Sequence, residues 1–122
     1  MYELVIEAWF SSAHNLREYE GACERLHGHN WKVEVHVRSE TLDKLGMVMD
    51  FKTLKTRTNE VLDALDHRYL NDIPPFDKDN TTAENIARYI YAELSGRIND
   101  DMVRVSKIRV WESEKAAATY YE

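Results

Sequence analysis

From Trp31 to Arg38 apolar and polar side chains alternate without a break, Trp31, Val33, Val35 and Val37 on one parity and Lys32, Glu34, His36 and Arg38 on the other. Successive side chains of a strand point to opposite faces, so this stretch reads as a strand with one face on a core and the other in water, the habit of antiparallel sheets. On that reading His36 is a solvated surface residue. Residues 2 to 10 supply a neighbour, with Tyr2, Leu4, Ile6, Ala8 and Phe10 on one parity and Glu3 and Glu7 on the other.

The period then changes. Phe51, Leu54, Val61, Leu62 and Leu65 make a helical stripe, and Asp50 stands at its N-cap. A second helix carries Ile86, Ile90, Leu94 and Ile98 on its core face, its start marked by the capping-box pattern of Thr81 with Glu84 three residues on. Asp72-Ile73-Pro74-Pro75 is a turn or extended connection, since proline disfavours helix in the residue before it. Residues 102 to 112 return to β character with a parity slip between Val105 and Ile108, where a bulge is expected, and Ala116 to Tyr121 supply a fourth strand. This order predicts the α+β class: a four-stranded antiparallel sheet with two helices inserted between strands 2 and 3 and packed on one face. Two edge strands with unpaired backbone groups, in a chain with only 2 prolines to block them, favour pairing with further copies of the chain.

At 122 residues the chain is expected to form a single domain over 1–122. No apolar run approaches the roughly 20 residues of a membrane-spanning helix. MYELVIEAWF lacks the basic start and unbroken apolar centre of a signal peptide, so the expected location is cytoplasmic and no membrane partner is expected. A net charge of −6 argues against a nucleic-acid partner, because clustered Lys and Arg drive that binding. It leaves room for one anionic small molecule in a local pocket, although no phosphate-cradling glycine loop is present.

Five histidines, at 14, 27, 29, 36 and 67, carry most of the chemistry. In His27-Gly28-His29 the two imidazoles point to the same side of a strand, roughly 7 Å apart at their Cα atoms, a spacing that suits convergence on one cation. His14 ends the first strand, in Ser11-Ser12-Ala13-His14, and reaches the same point if the first two strands pair as a hairpin. Three neutral imidazoles with a fourth position open is the arrangement of a catalytic zinc. Cys23, the lone thiol, cannot form an internal disulfide and admits three readings: a fourth ligand closing a structural site, a proton acceptor beside an open zinc, or a buried inert thiol. Asp66 beside His67 reads either as an oriented acid/base pair or as a histidine in the last turn of a helix, favoured there by the dipole. Glu112, in Val110-Trp111-Glu112-Ser113, gains meaning if the ligand has a guanidine-like edge, to which a carboxylate can accept two parallel N–H bonds.

Taken together, Ser12-Ala13-His14, Cys23 with His27-Gly28-His29-Asn30, Met49-Asp50-Phe51, Leu65 to Asn71, Thr81 to Asn85 and Trp111-Glu112-Ser113 resemble the 6-pyruvoyltetrahydropterin synthase family, over nearly the whole chain. The resemblance implies the tunnelling fold, in which three subunits join their sheets into a barrel and two trimers stack as a homohexamer with active sites at subunit interfaces. It implies zinc held by His14, His27 and His29, Cys23 as proton acceptor, Asp66 with His67 as a supporting acid/base pair, Glu112 as pterin anchor and Thr82 as a further pterin contact. Three residues, Glu24-Arg25-Leu26, separate Cys23 from His27, whereas pyruvoyl-forming members typically have five. In this the chain resembles the carboxy-forming members of the queuosine and 7-deazapurine pathway, the 6-carboxy-5,6,7,8-tetrahydropterin synthases. The implied reaction converts 7,8-dihydroneopterin triphosphate to 6-carboxy-5,6,7,8-tetrahydropterin, acetaldehyde and triphosphate, without a redox cofactor. Two alternatives stand beside it: a pyruvoyl-forming synthase on the same scaffold, and a non-catalytic protein whose structural zinc is closed by Cys23, His14, His27 and His29.

Overall fold

The protein is described by a computed structural model covering residues 1–21 and 24–122. Four strands, β1 (Tyr2–His14), β2 (His27–Ser39), β3 (Val103–Ser113) and β4 (Ala116–Tyr121), form one antiparallel sheet in the order β1-β2-β3-β4. Two helices, α1 (Phe51–Leu62) and α2 (Ala83–Ile98), lie between β2 and β3 in the chain, with α1 packed on β1 and α2 over β3 and β4. The expected α+β sheet with two inserted helices is therefore present, with β1 and β4 as its edges. No helix among the described residues is long and apolar enough to cross a membrane.

The alternation in β2 does what it predicts: Trp31, Val33, Val35 and Val37 are fully buried against Leu54, Leu62, Ile86, Ile90 and Leu94 from the helices. A side chain of that size contributes about 1.5–3 kcal/mol on leaving water, so this stripe of apolar residues is the main driving force for laying the helices on one face. The parity slip in β3 is a bulge. Val37 pairs with Val105 but His36 with Lys107, which leaves Ser106 as the extra residue.

His36 departs from its expected solvated position, being 8% exposed. Its Nδ1 lies 3.1 Å from Glu3 Oε1, while the bulged Ser106 donates its hydroxyl to Glu3 Oε2 at 3.0 Å. Neighbours from two adjoining strands thus close over a ring that the local pattern assigns to water.

Asp50 caps α1 as expected, its carboxylate accepting from the Lys52 N–H at 2.7 Å. Replacing it by alanine is expected to cost about 0.5–2 kcal/mol, because one of the first-turn N–H groups loses its partner. Asp50→Asn, which keeps the acceptor, should unfold in urea close to the parent; equal losses in both variants would show that the cap bond is not what matters.

The start of α2 is one residue later than the capping-box pattern indicates. Thr82, not Thr81, is the N-cap, and its hydroxyl accepts from the Asn85 N–H at 3.1 Å. The stripe of the first helix also outruns the helix. α1 ends at Leu62, and Leu65 is buried from a following turn whose N–H donates to Leu62 O at 2.9 Å.

Candidate metal centre

His14, the last residue of β1, pairs directly with His27, the first residue of β2, and Ser12 pairs with His29. The two-residue period then places all three imidazoles on the helix-covered side of the sheet. Glu112 joins them from β3, two residues beyond the core residue Val110 and at a register shift against β4 between Trp111 and Ser113. One ligand atom from each of His14, His27, His29 and Glu112 lies within 4.8 Å of all the others.

The hydrogen bonds behind the rings decide which nitrogens face inward. His14 Nδ1 lies 2.8 Å from the Thr81 carbonyl oxygen, and His27 Nδ1 lies 2.8 Å from the Arg25 carbonyl oxygen. A carbonyl only accepts, so each Nδ1 carries a proton and, in a neutral ring, each Nε2 presents a lone pair. Those two Nε2 atoms are 3.1 Å apart. Two facing lone pairs repel unless a cation lies between them. A zinc ion with imidazole nitrogens at about 2.0–2.1 Å in tetrahedral geometry would separate those nitrogens by about 3.3 Å, close to what is found.

The remaining groups agree with a cation site. Burial, with His27 and His29 alongside, pushes the His14 imidazole below the ordinary histidine range, which keeps it neutral and able to ligate. His29 Nε2 is buried and has no hydrogen-bond partner among the described residues, although Glu112 Oε1 lies 3.1 Å away; the same carboxylate oxygen is 3.8 Å from His14 Nε2. A carboxylate only accepts, and imidazole nitrogens of His14 and His29 face the same carboxylate oxygen, so a cation in their midst would satisfy all three groups together. Beneath the cluster, the buried Trp31 meets His14 and His29 edge-on, each at 5.0 Å between centroids, so the rings stand on an apolar floor that fixes their tilt.

The other expected site residues are placed as follows. Asp66 Oδ2 lies 2.9 Å from His67 Nδ1, while its Oδ1 accepts from the Ser11 N–H at 2.8 Å. The Ser11 N–H bond and then His67 hold the Asp66 carboxyl below the usual carboxylate range. His67 is not in the last turn of a helix. It lies in the turn after α1 with φ +55°, donates its backbone N–H to Ser11 O at 2.6 Å, and exposes 81% of its side chain. The dipole explanation for this histidine therefore falls away, and the pair stands outside the four-residue cluster. Thr82 is half-buried at the start of α2, one residue from the carbonyl that holds His14. Cys23 lies outside the described residues.

The model for 6-pyruvoyl tetrahydropterin synthase matches residues 3–122, a span that contains all four residues of the cluster. The chain belongs to the 6-pyruvoyl tetrahydropterin synthase family. Within that family it is similar to the 6-carboxy-5,6,7,8-tetrahydropterin synthase of Synechocystis, 36% identical over 99% of this chain and 94% of the relative. It is also similar to the dihydroneopterin monophosphate aldolase of Pyrococcus furiosus, 38% identical over 92% of this chain and 90% of the relative. Its fold resembles the 6-pyruvoyl tetrahydropterin synthase structure from Caenorhabditis elegans, with a TM-score of 0.83 and 28% identity over all of this chain and 97% of that one. The family places pterin-synthase chemistry on this scaffold, and the His/Glu cluster is where a metal can be held.

Sequence reasoning missed Thr81 and Asn71, both buried behind His14. The signal available was a pair of adjacent threonines where one cap suffices.

Proposed function

We propose that this family member is a zinc-dependent 6-carboxy-5,6,7,8-tetrahydropterin synthase, converting 7,8-dihydroneopterin triphosphate and water to 6-carboxy-5,6,7,8-tetrahydropterin with release of acetaldehyde and triphosphate, in queuosine and 7-deazapurine biosynthesis. The observation that carries the metal half is the pair of Nε2 atoms facing each other at 3.1 Å with both Nδ1 atoms committed to carbonyls. The three-residue gap between Cys23 and His27 supports the carboxy-forming product, as does the likeness to the Synechocystis protein.

In this reading His14, His27 and His29 hold Zn2+, which supplies Lewis acidity to the hydroxyls of the substrate side chain. Cys23 accepts and returns a proton. Asp66 orients His67 at 2.9 Å for a second proton transfer, and because His67 is largely exposed it is free to serve a pocket completed by another subunit. Glu112 would accept two N–H bonds from the pterin ring, with Thr82 as a further contact, so that the flat ring is held in a fixed orientation in the site. The free edges β1 and β4 support assembly into trimers and stacked hexamers.

Metal analysis with a product assay tests the whole. One zinc per chain, with 6-carboxytetrahydropterin and acetaldehyde formed from the triphosphate, is expected. Pyruvoyltetrahydropterin without acetaldehyde would shift the assignment to the pyruvoyl-forming synthase, and turnover of dihydroneopterin monophosphate alone would shift it to the aldolase. Glu112→Gln separates the two roles open to that carboxylate. As a pterin anchor, it should lose about 1.5–3 kcal/mol of charged hydrogen bonding, roughly tenfold to a hundredfold in substrate affinity, with zinc content unchanged. Unaltered substrate affinity with weakened zinc binding would make Glu112 a ligand instead.

A further inference from the structure

Among the described residues, the support of His14 reaches across three separate segments of the chain. Its Nδ1–H is shared between the carbonyl oxygen of Thr81 at 2.8 Å and the Thr81 hydroxyl at 3.2 Å. That hydroxyl accepts from the imidazole, so its own proton is left for Asn71 Oδ1 or the Asn15 carbonyl oxygen, each at 3.3 Å. Asn71 in turn clamps the residue that follows His14 from both sides: its amide donates to Asn15 O at 2.8 Å and its oxygen accepts from the Asn15 N–H at 3.2 Å. Thr81 is 0% exposed and Asn71 is 7% exposed, so water does not substitute for these bonds.

We infer that Thr81 and Asn71 are positioning residues for the metal ligand His14, fixing its tautomer and the aim of Nε2; the inference rests on the reading of the histidine cluster as a metal site. The physical case is one of alternatives denied. An imidazole can present either nitrogen, and a ring on a strand end can rotate about its side-chain bonds. Two acceptors on Thr81 hold the proton on Nδ1, and the Asn71 clamp holds both the strand end beneath the ring and the threonine behind it. Thr81 is freed for this task because Thr82 takes over the cap of α2. The bonds behind a ligating imidazole commonly govern metal affinity by about 10–100-fold.

The test uses the full-length protein and Co2+ as a spectroscopic probe, with affinity measured by competition against a chelator and the visible absorption recorded on the loaded protein. Thr81→Val keeps the shape and the carbonyl but removes the hydroxyl, Thr81→Ser restores it, and Asn71→Ala removes the clamp. Thr81→Val and Asn71→Ala are expected to weaken Co2+ binding by about 10–100-fold and alter the absorption bands, with Thr81→Ser within about threefold of the parent. Parent-like affinity and spectrum in Thr81→Val, or a loss in Thr81→Ser equal to that in Thr81→Val, overturns the inference; because Val and Ser differ from Thr by one small group, the pair remains decisive should Asn71→Ala fail to fold. A parent protein that takes up no stoichiometric Co2+ overturns the metal reading itself, a result distinct from either.

Discussion

If the proposed zinc-dependent reaction is right, a protein carrying His14→Ala is expected to bind zinc at well below one ion per chain and to lose about three orders of magnitude in turnover of 7,8-dihydroneopterin triphosphate. The size follows from the role. A bound ion stabilises charge developing in the transition state by several kcal/mol, and about 4 kcal/mol corresponds to roughly a thousandfold in rate. His14 is the most exposed to this test because it is the most buried of the cluster, 2% exposed, and its Nε2 is the atom from which His27 lies 3.1 Å and Glu112 3.8 Å away. His36→Ala is the matched control. That ring is also buried, at 8%, but it bonds to Glu3 on the far face of the sheet, so its loss should change stability and leave zinc content at the parent level. Metal analysis of both variants decides the point: zinc retained at one per chain by His14→Ala, or lost from His36→Ala, would remove the three-histidine cluster as the metal centre.

The parts of this molecule that were legible in the sequence are those whose cause is local. The alternation in β2 marks a strand because each of its eight residues obeys the two-residue period, and the slip between Val105 and Ile108 marks a bulge because the period visibly fails there. The convergence of His14 on His27 and His29 follows from hairpin pairing of two adjacent strands, the shortest-range tertiary event available. What escaped was set by partners distant in the chain. His36 has the parity of a surface residue and is enclosed by Glu3 and Ser106, residues 33 and 70 positions away in sequence order. The capping-box pattern favours Thr81 on local grounds, yet Thr82 caps the helix while Thr81, distant in the chain from His14, is turned inward to meet it. Leu65 continues a helical stripe from outside the helix because a turn can bury an apolar side chain as well as a helix can. Glu112 is one acidic residue among 22 until β3 is laid beside β2, which sets its carboxylate against His29.

Trp31→Ala should be the most destabilising single change in the sheet, and it should damage the site as well. The indole is 0% exposed, lies parallel to Phe10 at 5.9 Å between centroids, and carries His14 and His29 on its edges. Truncating a buried aromatic to alanine typically costs about 3–5 kcal/mol, the lost transfer energy plus the cavity left behind. Against a total stability of about 5–15 kcal/mol this is a fifth or more, equivalent to a fall of roughly 10–20 °C in Tm for a domain of this size. Thermal unfolding in the presence of a chelator isolates this loss from the separate loss of metal-linked stability. Trp31→Phe supplies the contrast. It keeps an aromatic floor and removes an indole N–H that has no hydrogen-bond partner among the described residues, so the smaller volume and the relieved polar group offset one another to within about 1.5 kcal/mol. If the floor also sets the tilt of the ligands, Trp31→Ala should bind zinc more weakly than Trp31→Phe under conditions where both are folded. An alanine variant within about 1 kcal/mol of the parent would mean that the helices collapse onto the gap, and the packing argument for the site would then fail.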